Sequence, residues 1–448
     1  MENQERKNYI LKGNVCYTPT RDKFCIVENG YVVCKEGRCA GVYETLPQEY
    51  EGFPCIDYED KLILPGLVDL HVHAPQYAFR GIGMDLELID WLNTHTFAEE
   101  QKYQSLDYGK KAYEIFCEDL VQSATTRACI FGTIHTEATL CLMELLEQAG
   151  ISAYVGKVNM DRNSPENLCE ADWKQAAEDT EKWILQCETL ENVKPILTPR
   201  FIPSCSDALM EALAKLQKQY HLPVQSHLSE NLGEIQWVKE LCPDTSCYGE
   251  AYQKYEMFGG ECPTIMAHCV HSTEEEQKIM KEQGVFVAHC PESNTNLSSG
   301  IAPIRRYMEQ GISVGLGSDV AAGTSLSMFH AMAMAIQCSK LRWRLTDQSL
   351  APLTVSEAFY LATKGGGAFF GKVGSFEDGY EFDAVVVDDA GIRSPRRLTV
   401  KERIERLLYL AEDRHITAKY ICGRKIFQKN LNAPAFPDHA SSLSEGNR

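Results

Sequence analysis

LPGLVDLHVHA, residues 64–74, is the stretch on which the fold turns. A short apolar run follows a Pro-Gly break and ends in two histidines, His71 and His73. Side chains two apart on a strand face the same side, so the two imidazoles leave the strand together. Further apolar runs follow, making eight in all: 62–70, 124–131, 152–159, 193–198, 223–226, 264–267, 285–288 and 313–316. Between them lie segments such as 108–121 and 140–148 that carry apolar residues at helical spacing. Runs that are apolar throughout suit parallel strands covered on both faces. Eight strand–helix repeats predict an α/β fold, a (β/α)8 barrel of the TIM type.

Both flanks read differently. Residues 9–57 hold short alternating runs with glycine punctuation, such as 31–34 and 39–42, and 384–387 and 420–427 repeat the style with Gly379 and Gly423 at turns. A small composite β-sandwich domain formed from both chain ends is therefore expected beside the barrel. The division is 1–64 for its N-terminal part, 65–370 for the barrel, 371–436 for its C-terminal part and 437–448 for a polar, unstructured tail.

Composition narrows the function. Of 448 residues 44% are hydrophobic, enough for a large core, and the formal charge is -19. Such a surface repels phosphate backbones, which excludes nucleic acid and anionic lipid as main partners and favours a small neutral ligand. The 18 cysteines include no C-x-x-C pair and read as reduced thiols. The opening MENQERKNYILKGN lacks the apolar run of a signal peptide. No window reaches the roughly 18 consecutive apolar residues that a membrane span needs. A cytoplasmic protein is expected.

The chemistry sits at the strand ends. The fifth run gives PVQSHLSE with His227 and Glu230, the sixth TIMAHCV with His268, and the eighth SVGLGSDV with Asp319. In a barrel these ends converge on one face. Each residue alone has an ordinary explanation: H-x-H arises by chance, a single histidine is commonly a hydrogen-bonded structural one, and Asp319 could cap a helix. Jointly they do not read as packing, because four histidines and an aspartate buried without partners would cost several kcal/mol.

The order H-x-H, His, His, Asp within a barrel flanked by a split sheet resembles the amidohydrolase superfamily over almost the whole chain. HCPESNTNLSSG (289–300) is similar to a segment shared by the deaminases and chlorohydrolases of that superfamily. GSFEDGYEFDAVVVDD (374–389) resembles its return to the small sheet, with Tyr380 where a basic residue is usual. Dinuclear members carry a carboxylated lysine at the end of the fourth strand; here that place reads Thr198-Pro199-Arg200-Phe201, and Lys157 lies one strand earlier and reads as structural. The resemblance thus implies the single-metal subtype, with His71, His73, His227 and Asp319 as ligands and His268 against the metal-bound water or the developing oxyanion. The implied ion is Zn2+, one per subunit, with Fe2+ as the alternative for an all-N/O site. Glu230, three residues beyond a ligand, is suited to moving protons; its ordinary explanation is a solvated carboxylate at a helix start.

HAPQYAF (73–79), DLELIDWLNTHTF (85–97), FGTIHTEA (131–138), GKVNMDRN (156–163) and TPRFIPS (198–204) are similar to the guanine-deaminating branch of the superfamily. That likeness implies Gln76, Arg200 and Phe201 as contacts to a purine base, a reaction of guanine with water to give xanthine and ammonia in purine catabolism or salvage, and a homodimer. A guanidinium only donates, which suits a carbonyl oxygen. For Phe201 and Trp91 core filling stays equally open, and His135, His289 and Asp69 are expected to support the site or the packing. Two alternatives remain: a related deaminase or chlorohydrolase acting on cytosine, an adenosine derivative, 8-oxoguanine or a triazine, and an inactive homologue serving as a scaffold.

Overall fold

The computed structural model describes residues 8–429. The expected tail, 437–448, lies outside the described residues. Two four-stranded parallel sheets carry the barrel. One orders Leu67–His73, Thr125–Phe131, Ser152–Gly156 and Val193–Pro195, the other Val224–Leu228, Thr264–His268, Phe286–His289 and Ser313–Leu316. A parallel bridge between Leu197 and Val224 joins the sheets on one side. On the other side His71 O accepts from the Asp319 amide (2.8 Å) and Val320 O from the His73 amide (3.0 Å). Eight strands therefore close in the predicted order. Closure needs glycine: a Cβ at Gly315 would stand 2.5 Å from Leu70 Cδ1, and one at Gly317 2.9 Å from His71 Cβ. The interior is filled by Val68, Leu70, Cys129, Ile196, Ile265 and Ala267, with Phe369 packed against them, so the lower barrel is a solid core and not a pore.

The first apolar run, 62–70, proves to be two elements. Cys55–Pro65 is a strand of the small sheet, where residues 62–65 pair with Ala384–Val387; the barrel strand begins only at Leu67, after Gly66. Both sides of that border are buried, so hydropathy does not change across it. The third and fourth runs are likewise broken, into Ser152–Gly156 with Val158–Asn159 and Val193–Pro195 with Thr198–Pro199. Strands from both chain ends form one hydrogen-bonded sheet of seven, Cys55–Pro65 and Ala384–Val387 bringing its halves together. Tyr9 and Tyr420 sit three strands apart in that sheet, about 14 Å if it were flat, yet their ring centroids are 5.6 Å apart. The sheet folds over its own core of Tyr9, Leu11, Val32, Ile63, Phe382 and Tyr420.

A buried ion pair fastens this sheet to the barrel. Arg127, on the second barrel strand, donates through Nε to Asp383 Oδ2 (2.6 Å), through Nη2 to Glu381 (2.7 Å) and through Nη1 to Ser152 Oγ (2.6 Å). Removing one partner of a buried pair strands the other's charge, typically at about 3–5 kcal/mol. Asp383→Ala should lose that much stability in chemical denaturation; a loss under about 1 kcal/mol would show that the pair is dispensable. Among the described residues no helix is long and apolar enough to cross a membrane, and all 18 cysteines are free thiols.

Candidate active site

The strand ends bring together the five residues the sequence singled out. His71 and His73 close the first strand, His227 sits in the fifth, His268 ends the sixth, and Asp319 follows the eighth. Ser229, His268 and Asp319 take left-handed backbone angles (φ +48°, +73° and +48°), a cost that turns the chain sharply at the barrel mouth. Phe131, from the second strand, supplies an apolar wall with its ring centroid 4.9, 4.6 and 5.0 Å from those of His71, His73 and His227.

The donor atoms converge. His71 Nε2 lies 3.2 Å from His73 Nε2, and His73 Nε2 3.3 Å from His227 Nε2. Asp319 Oδ1 lies 3.2 and 3.5 Å from the nitrogens of His71 and His73. Ligands about 2.0–2.1 Å from a tetrahedral ion stand roughly 3.3 Å from one another, so these spacings fit one metal ion. Protonation fits as well. Burial, then the neighbouring imidazoles, hold His73 and His227 well below the ordinary histidine range, and burial lowers His71. Burial alone would raise Asp319, but His71 and His268 outweigh it and keep the group a carboxylate. His227 Nδ1 donates to the Arg200 carbonyl (2.6 Å), which leaves Nε2 with its lone pair.

Beside the cluster stand two buried titratable groups, Glu230 and His268. Burial pushes Glu230 up to about 7 against the pull of His268. Its Oε2 lies 3.4 Å from His268 Nε2, and its Oε1 accepts from Ser299 Oγ at 3.2 Å. His268 Nδ1 is paired with Asn294 Oδ1 (2.9 Å), and its Nε2 is 3.7 Å from Asp319 Oδ2. Burial lowers the affinity of His268 for a proton, but the carboxylates of Glu230 and Asp319 outweigh it and raise the group. The two groups stand side by side on the cavity floor, where each can hold a proton next to a reacting atom above them.

Above the cluster a cavity is walled by Gln76, Leu88, Trp91, Arg200 and Phe201 and floored by Glu230, His268 and Asp319. Gln76, Arg200 and Phe201 thus all reach the cavity, and Trp91 joins them, its Nε1 donating to Ile82 O at 3.1 Å. Phe201 meets Trp237 edge-on at 6.0 Å between centroids. Lys157 turns to Glu170 and takes no place in the donor cluster. Asp69 accepts from the Ser318 hydroxyl (2.5 Å) and from the His71 amide (3.1 Å), tying the first strand to the eighth; burial lifts its carboxyl to about 7. His289 is buried beside His268 and held down at about 3 by burial, with its Nδ1 unpartnered. His135 opens the helix Thr136–Ala149.

Sequence reasoning missed four contributors. Asn294 and Ser299, which orient His268 and Glu230, both lie in the HCPESNTNLSSG segment, whose likeness to other deaminases was the available signal. Glu234 also lines the cavity; its side chain accepts from the Glu230 amide (3.1 Å) and from Tyr248 Oη (2.9 Å). Its capping-box position after Asn231 was readable. Glu100 had no signal, for FAEEQK reads as an ordinary solvated helix face.

A barrel with this donor cluster at its mouth suits a hydrolase, and the amidohydrolase family profile matches residues 62–426. The chain belongs to the amidohydrolase family. Within that family it is similar to the guanine deaminase of C. acetobutylicum, whose crystal structure has guanine bound in the active site: 49% identity, TM-score 0.91, covering 94% of this chain and 100% of that one. It is 39% identical over 380 residues to the guanine deaminase of Dictyostelium discoideum, covering 83% of this chain and 84% of that protein. The guanine deaminase of Escherichia coli is 33% identical over 420 residues, with 90% of this chain and 92% of that protein covered.

Proposed function

We propose that this chain is a guanine deaminase, converting guanine and water to xanthine and ammonia. The observation that carries the reading is the placement of Glu230, a buried carboxyl raised to about 7, between the converging donor cluster and a cavity walled by Arg200, Gln76 and Phe201. His71, His73, His227 and Asp319 would hold one metal ion, and the neutral imidazoles and 3.2–3.5 Å donor spacings support that assignment. Bound there, a divalent ion supplies Lewis-acid activation of water at neutral pH. Arg200 and Gln76 orient the base so that the carbon bearing its exocyclic amine faces the cluster. Glu230 accepts one proton from the attacking water and passes it to the adjacent ring nitrogen; it then takes the second proton from the hydroxyl newly bonded to carbon and gives it to the amine, which leaves as ammonia while the carbonyl forms. His268, held by Asn294, steadies the negative charge that grows on the incoming oxygen. Phe201 and Trp91 cover the ring faces and exclude water.

The reading includes Zn2+, one per subunit, which an all-N/O donor set favours, with Fe2+ as the alternative. It places the enzyme in the cytoplasm, in purine catabolism or salvage, as the homodimer that its family resemblance implies. It also keeps the chain's division after residues 64 and 370, supported by the change of sheet at Gly66.

Arg200→Ala tests the substrate arrangement. Charge-assisted hydrogen bonds of this kind carry about 1.5–3 kcal/mol, so KM for guanine should rise about 10- to 100-fold with metal content unchanged. An unchanged KM would remove Arg200 from the binding site.

A further inference from the structure

We infer that Glu100 is a specificity-determining positioning residue, a single buried carboxylate that holds Arg200 and Gln76 as hydrogen-bond donors toward a 6-oxopurine edge. The inference rests on the reading of the cavity as a guanine site and deepens it.

Glu100 is 3% exposed and ends the short helix Phe97–Glu100. It receives Arg200 as a fork, Nη1 to Oε2 at 2.6 Å and Nη2 to Oε1 at 3.2 Å, and its Oε1 also accepts from Gln76 Nε2 at 2.9 Å. The other end of the Gln76 carboxamide is used as well, its oxygen accepting from the Ala321 amide at 3.3 Å. The same helix lays Phe97 against the guanidinium, 5.4 Å from its ring centroid. Arg200 and Gln76 line the cavity, whereas Glu100 stands behind them and acts through them.

The consequence follows from donor and acceptor counts. A guanidinium has five N–H groups and no acceptor; two go to Glu100, and the rest can only donate. A glutamine side chain could turn over and present its carbonyl oxygen in place of its amide nitrogen. Glu100 forbids this, because the turned group would set oxygen against carboxylate and leave the Ala321 amide without its acceptor. The wall behind the base is therefore fixed in a donating state. A purine edge bearing a carbonyl oxygen is received, and an edge bearing an amino group in its place meets donor against donor. Glu100 also neutralises Arg200, so a neutral base can enter without an unpaired charge in the wall.

The test compares guanine with 2,6-diaminopurine, which has the same amine at C2 but an amino group where guanine has its carbonyl, and uses hypoxanthine as a non-reacting binding probe. Glu100→Gln has the same shape but one acceptor and one donor in place of two acceptors. Its KM for guanine and its Kd for hypoxanthine should rise at least about tenfold while kcat changes less than about threefold. Its preference for guanine over 2,6-diaminopurine in kcat/KM should fall at least about tenfold. Glu100→Asp keeps the charge one methylene short and should fall between, and it serves as the readout if Glu100→Gln does not fold. A purely structural role would lower Tm and kcat and leave KM, Kd and the preference ratio as they were. That result, or two folded variants with unchanged ratios, overturns the inference. A wild-type enzyme without guanine turnover overturns the guanine reading instead, so the two failures are distinct.

Discussion

Glu230→Gln should keep its metal ion and lose turnover of guanine by about three orders of magnitude, within the range expected for a positioned proton carrier. The substitution is nearly isosteric. A glutamine oxygen can still accept from Ser299 Oγ, 3.2 Å away, so the side chain has reason to stay in place. Glu230 is not among the converging atoms of His71, His73, His227 and Asp319, so metal content should be untouched. What disappears is the ability to take a proton and give it back. Burial has raised this carboxyl to about 7, where it does both near neutral pH. Turnover within about tenfold of wild type would remove Glu230 from the role proposed for it.

Asp319→Ala and His73→Ala act one step earlier. Each removes a donor from a set in which His73 lies 3.2–3.5 Å from His71, His227 and Asp319, and Asp319 is the only anion in it. Loss of groups that merely support ligands costs 10–100-fold in metal affinity, and loss of a ligand should cost on the order of 10³-fold or more. Metal content measured by elemental analysis should fall from about one ion per chain to a small fraction, and turnover should fall with it, by about 10⁴-fold. The contrast with Glu230→Gln is the diagnostic: one variant keeps metal without activity, the others lose both. An Asp319→Ala protein with full metal content would break the proposed ligand set.

The legible features share a physical cause. Parallel strands covered on both faces must be apolar throughout, so Val224–Leu228, Thr264–His268 and Ser313–Leu316 stand out in the sequence, and histidines at their ends stand out against them. The same rule hid the border at Gly66. Leu62–Leu64 pack in the small sheet and Leu67–Leu70 in the barrel, both buried, and hydropathy has no way to mark which sheet a strand joins. Glu100 was illegible for another reason. Its meaning lies in Arg200, a hundred residues away, while its neighbours Glu99 and Gln101 make it look solvated. Asn294 and Ser299 fall between these cases: their segment was recognisable, but their partners His268 and Glu230 are fixed only by tertiary contact.

Release of ammonia from guanine by the purified, metal-loaded protein tests the central claim most directly, run beside cytosine, adenine and 8-oxoguanine. The account predicts one ammonia and one xanthine for each guanine consumed, with kcat/KM for guanine well above that for the other three bases. No ammonia from guanine at full metal content, or a clear preference for one of the other bases, would contradict it.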